Sequence, residues 1–156
     1  MREFLKLHPD SRSIAAIQVE VDVAPPRADR LVLSYVLTGN LRDVRLPTIK
    51  APRRSDGLWR HTCFETFVRA SVGTAYYEFN FAPSTQWAAY RFSGYRSGTG
   101  VASEVGVPII EVQSTLDRYA LQATIDLDRL SGLTRVAGWH LGLSAVIEDA
   151  GGNISY

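Results

Sequence analysis

Three consecutive segments constrain the fold more than anything else in this chain. Cys63 to Ala70, Tyr76 to Ala82 and Trp87 to Ser93 alternate apolar and polar residues, and short turns around Ser71–Thr74 and Pro83–Thr85 join them. A period of two is the signature of a half-buried strand, and consecutive strands with short connections pair antiparallel as a meander. The same alternation marks Ile14–Val23, Arg30–Thr38, Pro108–Ser114, Tyr119–Ile125 and Trp139–Glu148. Pro25–Pro26 with Asp29 supplies a turn signal. Leu41–Leu58 reads as a long loop with a short strand near Val44, and Ser93–Gly106 as a mobile surface loop. Asp126–Leu130 reads as one helical turn capped by Asp126. Many short strands and no long helix predict an all-β antiparallel sandwich. With 156 residues and 46% hydrophobic content, a single domain over 1–156 can build one core. The pattern stops inside or just after a strand at Ile154–Tyr156, so a missing C-terminal segment is expected, with an exposed edge where it would pair.

The 17 Lys and Arg against 16 Asp and Glu give a net charge of +1. That balance disfavours nucleic acid and an acidic membrane as partners. A single cysteine, Cys63, excludes an internal disulfide. The opening Met1–Pro9 is too short and too polar for a signal segment, and no apolar run has membrane-spanning length. A cytoplasmic location is the resulting expectation, and oligomeric state stays open.

Alternation also assigns faces. Phe64, Thr66 and Val68 point one way in the first strand, with Cys63, Glu65, Phe67 and Arg69 opposite. Tyr77, Phe79 and Phe81 form the apolar set of the second, with Tyr76, Glu78 and Asn80 opposite. In the third, Ala88, Tyr90 and Phe92 are assigned to the core, and Trp87, Ala89 and Arg91 to the other side. The polar face then collects Glu65, Tyr76, Glu78, Asn80, Trp87 and Arg91 on strands about 4.8 Å apart, with Trp59 at the rim. A saccharide site needs this mixture. Carboxylates and guanidinium groups engage vicinal hydroxyls in pairs, and an indole ring packs on the apolar face of a pyranose. Each residue also has a simpler role, since Glu65 and Arg91 read equally as a cross-strand ion pair on a solvated face. Trp139 shares parity with Leu141, Leu143 and Ala145 and reads as core.

Three stretches carry a resemblance: Asp56–Val68, with W-x-x-x-C-F-E; Tyr76–Ser84, with E-F-N-F-x-P-S; and Gln86–Arg96. They resemble bacterial DOMON-like proteins, which are similar to family 9 carbohydrate-binding modules. The resemblance implies an antiparallel sandwich and a non-catalytic sugar site. In those modules a tryptophan six residues before a glutamate contributes to the site, and Trp59 and Glu65 match that spacing. Arg91 is the counterpart of a sugar-contacting arginine on a later strand. The resemblance gives no match for a metal site, and no cofactor is expected.

Other functions compete. DOMON-type sandwiches also bind haem, which here would require two histidines such as His61 and His140 among His8, His61 and His140. Glu65 and Glu78 on adjacent strands resemble a glycosidase pair, but a guanidinium from Arg91 on their face would keep both ionised. The basic loop with Arg42, Arg45, Lys50, Arg53, Arg54 and Arg60 would suit an anion or an acidic partner protein.

Overall fold

The computed structural model describes residues 1–11, 16–25, 30–130, 133 and 138–156. Among the described residues eleven strands form: β1 (Arg2–Phe4), β2 (Ile17–Val23), β3 (Arg30–Gly39), β4 (Cys63–Ala70), β5 (Tyr76–Phe81), β6 (Trp87–Phe92), β7 (Gly100–Val101), β8 (Ile109–Ser114), β9 (Arg118–Asp126), β10 (Trp139–Glu148) and β11 (Ile154–Ser155). Two single-turn 3-10 helices occupy Leu41–Asp43 and Leu58–Arg60. The expected strand start at Ile14 and the turn residues Pro26 and Asp29 lie outside the described residues. The predicted helical turn is a hydrogen-bonded turn in which Asp126 Oδ1 accepts from the Asp128 amide at 3.1 Å.

The strands form two antiparallel sheets, β1-β2-β3-β9-β8 and β11-β10-β4-β5-β6-β7. An all-β sandwich is therefore the architecture. Alternate residues from both sheets meet between them. Leu31, Leu33, Tyr35 and Leu37 of β3 and Tyr119, Leu121, Ala123 and Ile125 of β9 face Phe64 and Val68 of β4 and Phe79 and Phe81 of β5, all of them buried. Burying each such side chain contributes about 1.5–3 kcal/mol, so this interlayer supplies the main folding drive.

Tyrosine hydroxyls cross the core, Tyr119 to the Pro83 carbonyl at 3.2 Å and Tyr35 to β4. Tyr35 donates from its hydroxyl to the Glu65 carbonyl at 2.6 Å and lies 2.8 Å from Thr66 Oγ1, while its ring stacks on Phe64 at 5.0 Å. Burial pushes its phenol well above the usual range, so it stays a neutral donor. That bond ties β3 of one sheet to β4 of the other, at the residue that carries a predicted site carboxylate.

The two irregular stretches are more ordered than expected. Val44 bridges to Asp149, and Arg54 lies parallel beside Trp87 at the edge of β6. The stretch after Ser93 holds β7 and delivers Ala102 and Val105 into the core. Among the described residues, no helix is long and apolar enough to cross a membrane.

Candidate functional site

The outer face of the six-stranded sheet is fixed by register, because residues directly opposite across an antiparallel pair point to one side. Glu65 pairs with Asn80 and Ser144, Phe67 with Glu78 and Gly142, and Arg69 with Tyr76 and His140. On the far side of β5, Tyr76 pairs with Phe92 and Glu78 with Tyr90. These residues share the outer face. A cleft of about 580 Å³ opens over them.

The floor of the cleft is Glu65, Phe67, Glu78 and Tyr76, and Gly142 leaves it open. A Cβ at position 142 would come to 3.4 Å from the Phe67 Cβ, so any side chain there would rest on the Phe67 ring. Tyr76 and Phe92 stack at 4.6 Å with their planes 5° apart, and Phe67 leans on Tyr76 at 6.2 Å. Beyond Phe92 the chain turns, with Gly94 bridged to Ser97. That turn raises Tyr95 and Arg96 as a wall, with the guanidinium 5.3 Å from the Tyr95 ring. Arg96 holds a left-handed backbone at φ 53°, and its amide approaches the Tyr76 hydroxyl at 3.5 Å. Arg69 and His140 complete the lining. A row of rings thus lies beside two carboxyl groups.

The carboxyl groups are electrostatically distinct. Glu65 is pushed up to about 7, mainly by burial and further by the Glu78 charge, against a lowering hydrogen bond from Ser144. Glu78 is also raised by burial, and the Asn80 amide donates to its Oε1 at 2.9 Å. Among the described residues neither carboxylate has an ion-pair partner, and Arg69 instead donates to the Gly73 carbonyl. Near neutral pH, Glu65 can therefore both donate and accept, while Glu78 is held as an oriented acceptor. Burial and both glutamates push the neighbouring Cys63 thiol up, which leaves it an unreactive filler.

No protein-family model and no curated protein matches this sequence. In fold the chain is similar to a crystal structure from Bacteroides uniformis, of a protein provisionally assigned to carbohydrate binding. The TM-score is 0.65 at 13% identity, over 98% of this chain and 75% of that one. The two proteins share a fold. At that identity the likeness concerns the architecture alone.

Of the residues expected from sequence, Glu65, Tyr76 and Glu78 line the cleft, and Asn80 is buried beneath it as the partner of Glu78. Trp59 is exposed, on the single-turn helix against β4 and β5, with Arg60 5.4 Å over its ring. Trp87 and Arg91 do not belong to this face. The β5–β6 register pairs Phe81 with Trp87 and Tyr77 with Arg91, which turns both toward the opposite sheet. Trp87 is buried in the core, and Arg91 reaches Glu104 at 3.8 Å, where Tyr77 also bonds. Tyr90 and Phe92, expected in the core, take their place outside. The assignment inverted because a one-residue slip exchanges every face of a strand. Counting across the turn would have revealed it: the Ala82 amide donates to the Gln86 carbonyl at 2.9 Å, with Thr85 at φ 69°, which sets Phe81 opposite Trp87.

That inversion also removes the argument that Arg91 keeps the glutamates ionised. The haem arrangement fails on distance. His140 pairs with Arg69 at one end of β4, whereas His61 precedes Cys63 at the other end, roughly 20 Å or more away. His61 is engaged by Glu148 at 2.8 Å. An apolar groove of about 280 Å³ at the open edge between β2 and β10, lined by Leu5, Ile17, Leu143 and Ile147, is the core reaching the surface.

Proposed function

We propose that this protein is a non-catalytic carbohydrate-binding module that takes a small saccharide on the outer face of its six-stranded sheet. One observation carries the reading: the aromatic row Phe67, Tyr76 and Phe92 runs beside the Glu65 and Glu78 carboxyl groups in one cleft. A pyranose presents an apolar face of C–H groups and a rim of hydroxyls. Rings complement the first and carboxyl groups the second. A sheet holds both in place before the ligand arrives, which limits the ordering cost of binding. The resemblance of the W-x-x-x-C-F-E and E-F-N-F-x-P-S stretches to DOMON-like proteins, and the provisional carbohydrate-binding role of the Bacteroides protein, support the same reading.

The test is calorimetric titration with a panel of neutral and anionic mono- and oligosaccharides, alongside Phe92→Ala and Glu65→Ala. Saturable binding that both substitutions abolish is the expected result. Binding that neither substitution alters would place the ligand elsewhere.

A second reading, glycoside hydrolysis, is favoured by Glu65 alone, since a carboxyl group raised to about 7 beside a second glutamate resembles an acid–base pair. The same panel decides it. Release of new reducing ends, lost in Glu65→Gln, would replace binding with catalysis as the function.

A further inference from the structure

A second cleft, of about 800 Å³ and sharing no lining residue with the first, lies at the end of the sandwich beneath residues 44–62. That stretch carries Arg45, Lys50, Arg53, Arg54 and Arg60 against the single acid Asp56. Backbone hydrogen bonds anchor the main chain at both Lys50 and Arg60. The Lys50 amide donates to the Ser84 carbonyl at 2.8 Å, and its own carbonyl accepts from Thr85 Oγ1 at 2.8 Å. Arg60 closes a turn on Gly57, whose φ is 75°. Ser84 and Gln86 are buried polar residues of its lining, with Ser84 Oγ bonded to Gln86 at 3.2 Å.

Buried Glu148 is held by Arg45 and His61, each at 2.8 Å. Asp56 pairs with Arg54 at 3.5 Å and accepts from the Tyr90 hydroxyl. Both acids are satisfied, and among the described residues no carboxylate pairs with Lys50 or Arg60. Lys50 and Arg60 both line the cleft, Arg60 with its guanidinium also over the Trp59 ring, and neither charge is neutralised by a described carboxylate. We propose that this cleft is an anion site that takes a phosphate monoester, whose roughly two negative charges at neutral pH match Lys50 and Arg60. Arginine and lysine together suit such a group, a planar fork and a point charge on one set of oxygens.

The probes are inorganic phosphate and phenyl phosphate, titrated by calorimetry at constant ionic strength, with acetate as the monoanionic comparison. Both phosphates are expected to saturate and acetate to bind far more weakly. Lys50→Ala and Arg60→Gln are each expected to weaken phosphate binding roughly tenfold, as loss of a charge-assisted contact does. Lys50 is exposed, so its substitution does not threaten the fold. Phe92→Ala, in the other cleft, is expected to leave phosphate binding unchanged. No saturation by either phosphate, equal binding of acetate, or binding that survives both cation substitutions would overturn the proposal.

Discussion

Tyr76 and Phe92 lie directly opposite each other on β5 and β6, with ring planes 5° apart at 4.6 Å. Both are half-buried, so part of each ring remains exposed in the cleft. Phe92→Ala removes half of this surface. It is expected to cost about 1 kcal/mol of stability, the worth of an aromatic pair, and to weaken saccharide binding at least tenfold by titration. Thermal unfolding and calorimetry on the same sample separate the two effects.

Glu65 links stability to pH. Its carboxyl sits near 7 in the folded protein against an ordinary value of 4.5. Below 4.5 both folded and unfolded chains hold the proton, and the group costs nothing. Between 4.5 and about 7 the folded state binds more protons, so stability falls as pH rises. Above about 7 the whole cost is present, on the order of 3 kcal/mol. Glu65→Gln is therefore expected to stabilise the protein at pH 8 relative to pH 5, in urea unfolding at both pH values. An unchanged pH slope in the variant would contradict the assignment.

Gly142 keeps the cleft floor clear. Gly142→Val places a branched side chain against Phe67, at a position whose backbone suits an ordinary residue. Saccharide binding is expected to fall below detection while the melting temperature changes little, because β-branched residues favour strands. Retained affinity would move the ligand away from Phe67.

The two tryptophans near the first and third strands of the meander are expected to behave oppositely. Trp87 is 5% exposed and packed in the core, and Trp87→Ala should cost about 3–5 kcal/mol by leaving a cavity. Trp59 is 48% exposed, so Trp59→Ala should shift stability by no more than about 0.5 kcal/mol. Acrylamide quenching of the wild type should report one strongly exposed indole that Trp59→Ala removes, Trp139 being partly buried against the core.

Tyr35→Phe tests the link between the sheets. It deletes the hydroxyl that reaches the Glu65 carbonyl and Thr66, and the expected loss is about 1–2 kcal/mol in urea unfolding. A loss within error would mean that packing of the Tyr35 and Phe64 rings alone holds this layer.

Alternation by itself determined the eight longer strands, the all-β sandwich, and the shared face of Glu65, Tyr76, Glu78 and Asn80, because strand period and backbone pleat are local properties; the two- and three-residue strands β1, β7 and β11 are too short to show a period. It was silent on which way β6 turns. Trp87 supplies an aromatic ring to one parity and Tyr90 and Phe92 to the other, so hydrophobicity cannot rank the faces, and only the pairing of Phe81 with Trp87 decides. The raised carboxyl of Glu65 and the free charges of Lys50 and Arg60 were equally invisible. Burial, and the distance to the nearest opposite charge, come from residues far apart in the chain, and only the closed sandwich brings those together.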